Sequence, residues 1–249
     1  GGTVDAHLDD DLHRRLREVA AEEGATLFMA LHTALAVTLG RLDGRFDTVV
    51  GTAVAGRGHE AIDRLVGMFV GTLALRTRID PRSPLQEALR AVRTADVEAF
   101  ARPDVPFEQV VDAIAPARSA ARHPIFQVML TVRDDVPTRA RMGAGGAVVD
   151  ARVAEIDVAV AKFDLQVTVT EHRTDAGEPA GLTLGLDYAT DLFDESTART
   201  LLDRLGTVLR PLATRPTTAV GAIDLLTPDE RAALVPVGAR HADAPRTLA

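Results

Sequence analysis

One early helix is so apolar that it must be buried, and this constrains the fold more than any other feature. Thr26 can cap a helix that runs to about Leu42, and apolar residues cover most of its circumference. The helix is followed by a short Val- and Thr-rich segment, residues 47–55, which is typical of a strand. A buried helix beside a buried strand predicts an α/β layer.

The remaining hydrophobic periodicity predicts further helices and strands in both parts of the chain. Helices are expected over residues 9–23, 84–100, 106–114 and from 195 to about 214, and strands over 70–77, 125–132, 147–156, 163–171 and 181–188. Ser83 is the predicted cap of the third helix. Four glycine or proline residues predict a long mobile loop over 134–146, and the last three strands are expected to pair antiparallel.

Charge and composition exclude several partners. The net charge is −8 and no run of five like charges occurs, so we expect no nucleic-acid partner. The chain has no cysteine, its start lacks a signal-peptide pattern, and its longest apolar stretch, residues 66–75, is too short to span a bilayer. These features predict a cytoplasmic protein without a membrane partner.

No stand-alone catalytic motif is present. The serines Ser83, Ser119 and Ser196 lie outside any nucleophile elbow. The segment from His59 to Asp63 resembles a zinc-binding helix except that Asp stands where the second His should be, so no metal site is expected. Residues 143–146 are glycine-rich but precede a strand-like segment, which is unlike a phosphate loop.

Two glycine-containing segments can each be interpreted in two ways. Residues 51–57 fit either a tight turn with a surface Arg57 or a place where a ligand approaches the backbone closely. Residues 66–72 contain two glycines in a strand-like run, which fits packing against another element and lining a channel equally well.

Read in order, six segments resemble the C-terminal lobe of the condensation domain of nonribosomal peptide synthetases, a family with the chloramphenicol acetyltransferase fold. They are residues 26–29, 51–57, 66–76, 104–108, 123–128 and 162–165. The resemblance covers about Val4 to Pro216 and implies an α/β two-layer sandwich that forms one lobe of a two-lobed domain. Residues 225–230 are similar to the linker before an adenylation domain. We therefore expect a lobe over 1–215 and an interdomain linker with one short helix over 216–249.

The resemblance implies peptide-bond formation between a donor acyl or peptidyl thioester and an aminoacyl acceptor. Both substrates would arrive on the phosphopantetheine arms of peptidyl carrier proteins, and no cofactor would be bound directly. The expected partners are the N-terminal lobe, the donor and acceptor carrier proteins and a following adenylation domain. In the family, a histidine of an H-H-x-x-x-D-G motif acts on the amine. No His-His pair occurs in this chain, so we expect no catalytic residue here and no activity without the other lobe.

The resemblance also assigns site residues. Arg57, Gly71 and Thr72 match positions that line the substrate tunnel. Six further residues match family motifs and are expected to be structural: Gly56, Pro106, Phe107, Glu108, Lys162 and Asp164. Gly71 stands where the family usually has Asn, and Arg102-Pro103 stands where it usually has His-Gln.

These departures leave an alternative open. A condensation-like domain can lose catalysis and become a docking platform for tailoring enzymes, as in the X domain of glycopeptide synthetases. A trimeric stand-alone acyltransferase is a third interpretation, but it would need its own catalytic histidine, and no histidine here matches that position.

Overall fold

A six-stranded mixed sheet forms the centre of the molecule. The computed structural model describes residues 1–55, 64–103, 105–115, 122–135, 139–144, 147–152 and 160–234, with the backbone only in 139–152. The strand order is β1-β8-β7-β4-β2-β3. The strands are β1 Gly2–Leu8, β2 Asp47–Ala55, β3 Val70–Arg78, β4 Val128–Asp134, β7 Leu165–Arg173 and β8 Pro179–Tyr188, and a separate two-stranded sheet contains β5 Arg139–Ala144 and β6 Ala147–Arg152.

Six α-helices accompany the sheet in the described residues: α1 Asp10–Glu22, α2 Leu27–Asp43, α3 Leu85–Phe100, α4 Phe107–Ile114, α5 Glu195–Thr214 and α6 Pro228–Leu234. As predicted, Thr26 caps α2 and accepts a hydrogen bond from the amide of Met29 at 3.3 Å. The helix ends at Gly44, whose φ of 73° is left-handed and favours glycine. No single helix in the described residues is both long and apolar enough to cross a membrane.

The order of the strands brings three parallel strand ends to one edge of the sheet. β2 is parallel to β4 and β4 is parallel to β7, whereas β3, β8 and β1 pair antiparallel with their neighbours. The carboxyl ends of β2, β4 and β7 therefore lie together. The start of β3 lies at the same edge, since Val70 pairs with Ala55.

Helices cover one face of this sheet. α1, α2, α3 and α5 contact one another and pack on the strands. Every second residue of β7 and β8 points into this layer, including Val167, Val169 and Leu184, and all three are buried. α2 lies deepest, with an unbroken buried run over residues 29–38, which confirms the prediction from its apolar circumference. The result is a two-layer α/β arrangement.

The start of α3 was predicted at the correct place, but the predicted cap was wrong. The hydroxyl of Ser83 donates to the carbonyl of Asp80, and Pro84 precedes the helix without a side-chain cap. The first amides of α3 are satisfied from the distant tail instead: Leu85 donates to the carbonyl of Thr218 and Gln86 to that of Pro216, both at 2.9 Å. The first amide groups of a helix need hydrogen-bond acceptors, and backbone carbonyls supply them as well as a serine hydroxyl does.

The segment after residue 215 packs on this helix start. Val220, Ile223 and Leu225 are buried in the core. Thr227 and Glu230 form a capping box at the start of α6, the short helix expected here: the Thr227 hydroxyl accepts from the Glu230 amide at 3.1 Å, and the Glu230 carboxylate accepts from the Thr227 amide at 2.8 Å. The boundary at residue 215 stays a prediction, but the first part of the expected linker packs on α3 and the core.

Three strands differ from the predictions. β1 was not predicted, and it pairs with β8 along its whole length. The expected loop over 134–146 contains β5, which pairs antiparallel with β6. Consequently β6 does not join β7 and β8, and only those two of the three late strands pair as predicted. In all three cases the strand is defined by backbone pairing with a distant or glycine-rich partner. The periodicity of side chains along one segment carries no information about such pairing.

Candidate functional site

Two of the three predicted tunnel residues, Gly71 and Thr72, lie at the sheet edge where the parallel strands end. Gly71 pairs with Val54 and Thr72 with Ala53, so both lie beside the carboxyl end of β2. Gly56 and Arg57 follow this strand directly in sequence but lie outside the described residues. Such edges, beyond the carboxyl ends of parallel strands, are the usual place for ligands in α/β sheets.

A cleft of about 390 Å³ opens at this edge, and we call it the strand-end cleft. Its lining comes from the ends of β2 and β4 and from two helices: Phe28, Thr52, Ala53, Phe100, Thr131, Val132, Arg133 and Asp134. Phe28 and Phe100 meet edge to face, with ring centroids 5.7 Å apart, and form an apolar wall. The lining also includes a cation, Arg133, whose Nε donates to the Thr170 hydroxyl at 3.1 Å. The cleft can therefore hold a ligand with both apolar and polar parts.

Gly51 is explained by packing and not by a ligand. A β-carbon at this position would lie 2.1 Å from the nearest ring carbon of Phe126, and that ring is 1% exposed. Glycine is required here because an aromatic ring rests on the strand. Gly71 differs, since among the described residues a β-carbon there would meet Val54 alone, its side chain at 3.2 Å and its carbonyl oxygen at 4.0 Å.

Three family-like motifs converge on the same ring. Phe107, His123 and Phe163 surround Phe126, with ring centroids 5.5, 4.3 and 5.5 Å from it. Phe107 and His123 stack at 5.4 Å. This aromatic cluster (Phe107, His123, Phe126, Phe163) connects α4 to the sheet. The structural role of Phe107 stays a prediction.

The other motif residues flank this cluster. Pro106 precedes α4 without a side-chain cap, and Glu108 is exposed in the first turn of that helix. Lys162 is exposed, and the carbonyl of Asp164 accepts from the amide of Ala189 at 3.0 Å. None of the four lines the strand-end cleft.

Sequence reasoning missed a buried ionic network at the end of β7. The carboxylate of Glu171 accepts from Arg17 at 2.6 Å and from Arg173 at 2.8 Å, and its Oε1 lies 2.9 Å from Nε2 of His13. Burial raises the pKa of Glu171, but the hydrogen bonds from Arg17 and His13 and the nearby arginine charges outweigh it and leave the pKa below its usual range. Burial lowers the pKa of His13. The network therefore consists of a carboxylate, two guanidinium groups and a neutral imidazole.

A second buried pair joins α2 to α3. Nδ1 of His32 lies 3.0 Å from both carboxylate oxygens of Asp96, and both side chains are fully buried. The apolar stripe of α3, Leu85, Leu89 and Val92, continues in register to Asp96, which was a usable signal. Because no solvent reaches them, neither His13 nor His32 can contact a substrate. In the described part of the chain, no three acidic or histidine side chains are grouped as a metal site requires.

The chain is similar to known proteins over nearly its whole length. A profile of the condensation domain matches residues 1–235. The probable non-canonical nonribosomal peptide synthetase CymA of Salinispora arenicola (strain CNS-205) is 38% identical over 236 residues, which is 95% of this chain and 3% of CymA. A dimodular nonribosomal peptide synthase of Bacillus subtilis (strain 168) is 35% identical over 235 residues, 94% of this chain and 10% of that protein. The chain thus spans only a small part of these curated relatives.

A solved structure with the same fold is the X-domain from teicoplanin biosynthesis in its complex with OxyB. It has a TM-score of 0.80 and 32% sequence identity, and the match covers 91% of this chain and 48% of that one. These matches confirm the predicted α/β fold of the condensation-domain and chloramphenicol acetyltransferase type. The chain belongs to the condensation-domain family of nonribosomal peptide synthetases.

Proposed function

We propose that this chain is the C-terminal lobe of a condensation domain and that its strand-end cleft forms one wall of the substrate tunnel. The observation that carries the proposal is the position of Gly71, Thr72 and the cleft at one sheet edge. Because the match covers about half of the X-domain chain, a second lobe of similar size fits the remaining half. Residues 216–249 would begin the connection to a following adenylation domain.

An exposed apolar segment at and just before the start of β3 supports the proposal that another lobe packs against this surface. Leu65, Val66, Met68 and Val70 are 53%, 105%, 92% and 64% exposed. Four neighbouring apolar side chains in water mark an interaction site more often than a free surface. The segment leads directly into Gly71, so the N-terminal lobe would cover it while closing the strand-end cleft.

The proposed reaction is amide formation between two carrier-tethered substrates. The acceptor amine attacks the carbonyl carbon of the donor thioester, a C–N bond forms and the C–S bond breaks. The phosphopantetheine thiolate of the donor leaves and takes up the proton that the amine loses. This chain would hold and orient the arms in the strand-end cleft, and the histidine motif of the N-terminal lobe would act on the amine.

Reconstitution of the two lobes tests the proposal. The chain is mixed with the N-terminal lobe encoded upstream and with loaded donor and acceptor carrier proteins, and intact-protein mass spectrometry follows transfer of the donor mass to the acceptor. We expect transfer only when both lobes are present. Arg133→Gln should slow it at least about tenfold by misplacing the substrate, whereas Arg78→Gln, outside the cleft, should not. Transfer by this chain alone would contradict the proposal.

A second candidate function is docking without catalysis. It is favoured by the 32% identity to an X-domain that was solved in a complex with OxyB and by glycine at position 71. If the two lobes associate but transfer no mass, and a tailoring enzyme from the same biosynthetic cluster binds the pair, docking replaces catalysis as the function. Gly71→Asn is a further test, and it requires the Val54 side chain to shift by a few tenths of an ångström, because the new β-carbon would lie 3.2 Å from it.

A further inference from the structure

A second cleft lies at the opposite end of β2, beneath α4. It has a volume of about 660 Å³, within the range of about 300–1,000 Å³ typical of small-molecule sites. We call it the α4 cleft. Its lining shares no residue with the strand-end cleft, and nothing in the proposed condensation reaction requires it.

The floor and the helix side of the α4 cleft are apolar. Val49 and Ala74 of the sheet form the floor, and Val110 and Ile114 of α4 form the opposite wall. Ile114 is 59% exposed. An apolar wall that remains open to water favours a ligand with an apolar body.

The mouth of the α4 cleft is positively charged. Asp47 is the one carboxylate in the lining, and two arginines occupy it: Arg76 binds both its oxygens at 2.8 Å, and Arg78 donates at 2.9 Å. Hydrogen bonds from Arg76 and Arg78 hold the pKa of Asp47 far below its usual range. The three groups together carry one net positive charge.

Arg45 adds a second positive charge beside this triad. Its guanidinium has no hydrogen bond or ion pair with any residue that the structure describes, and it lines the same mouth. The mouth of the cleft is thus locally positive although the whole chain has a net charge of −8. An anionic group placed at Arg45 gains a charge-assisted hydrogen bond.

We propose that the α4 cleft binds an amphiphile with an apolar body and one anionic head group, of the medium-chain carboxylate type. The apolar body would lie between Ala74 and Ile114, and the carboxylate would face Arg45. The site is independent of the proposed tunnel and would be occupied whether or not the domain forms amide bonds.

Displacement of a fluorescent fatty acid tests the site on the full chain. The probe is 11-(dansylamino)undecanoate, and the competitors are hexanoate, octanoate and decanoate, with decan-1-ol as the uncharged control. Each added methylene should tighten binding about fourfold. Arg45→Gln should weaken decanoate about threefold to fivefold and leave decan-1-ol unchanged, whereas Ile114→Ser should weaken both.

Two control variants separate this site from general effects. Arg210→Gln removes a charge from an exposed position on α5 that does not line the cleft, and this variant should bind decanoate as the unmodified chain does. If Arg210→Gln and Arg45→Gln weaken decanoate equally, charge attraction is not local and the proposal fails. It also fails if Arg133→Gln weakens binding instead, which places the ligand in the strand-end cleft, or if the probe shows no saturable binding.

Discussion

Substituting Gly51 with alanine tests whether the aromatic cluster, and not a ligand, dictates glycine at this position. The added β-carbon would lie 2.1, 2.3 and 2.6 Å from three ring carbons of Phe126. An ordinary carbon–carbon contact is about 3.5–4.0 Å, so strand and ring would have to separate by more than about 1 Å. The ring is enclosed by Phe107, His123 and Phe163 and has no space into which to move.

The expected loss of stability follows from two opposing effects. Overpacking of this kind costs about 1–3 kcal/mol, and so severe a contact places Gly51→Ala near the upper end. Alanine in a strand recovers about 0.5–1 kcal/mol of backbone entropy. We therefore expect a net loss of about 2 kcal/mol in the free energy of unfolding.

Urea unfolding followed by far-UV circular dichroism measures this loss. Gly206→Ala is the matched control, because apart from the local backbone of α5 no described atom lies within 4 Å of its β-carbon position. This variant should gain about 0.5–1 kcal/mol in the free energy of unfolding. In the double variant with Phe126→Leu, the clash disappears, so the two losses should fall short of additivity by at least about 1 kcal/mol. Additive losses, or a Gly51→Ala change below about 0.5 kcal/mol, would refute the packing argument.

Three further predictions follow from the buried network, the buried pair and the exposed segment. Glu171→Gln should lose about 2–3 kcal/mol at pH 7. Folding lowers the pKa of Glu171, so the unfolded state binds more protons. The stability that Glu171 contributes is therefore present above about pH 4.3 and is lost as the pH falls further. In urea unfolding from pH 7 to 3, the free energy of unfolding should fall more steeply for the unmodified chain than for Glu171→Gln. Asp96→Asn should lose about 3 kcal/mol and lower the melting temperature, unlike the exposed Glu98→Gln on the same helix. Met68→Glu should weaken binding of the N-terminal lobe at least about tenfold, measured by calorimetry, whereas Leu192→Glu should not. Equal effects of the two variants would exclude residues 65–70 from the interface.

Local patterns in the sequence were sufficient for most helices but not for every strand. The burial of α2 followed from its composition alone, and the start of α3 from the proline at position 84. β1 was missed because an edge strand at the chain start has few residues with which to show alternation, and its partner lies about 180 residues away. The carbonyls that cap α3 were also beyond sequence reasoning, since they come from Pro216 and Thr218.

In the candidate site, too, local features could be predicted from the sequence and long-range contacts could not. Pairing of β2 with β3 could be anticipated from two neighbouring strand patterns, and it brings Gly71 and Thr72 to the end of β2. The aromatic cluster could not be anticipated, because its members are separated by up to 56 residues, from Phe107 to Phe163. Long-range contacts of this kind decide whether a motif residue packs or faces a cleft, and periodicity carries no information on them.

Among the described residues, no histidine is placed to activate the amine in the proposed reaction. Five of the seven histidines lie in the described part of the chain, and none of these lines the strand-end cleft. His13 and His32 are fully buried, and Nδ1 of His123 lies 3.2 Å from the carbonyl of Phe126. His7 and His172 lie on β1 and β7, where each contacts the hydroxyl of Thr183. The cleft offers Arg133, Asp134, hydroxyl groups and aromatic rings, which can bind and orient a substrate. Since an amine near neutral pH needs a proton acceptor that titrates there, we expect the acceptor in the N-terminal lobe, facing this cleft.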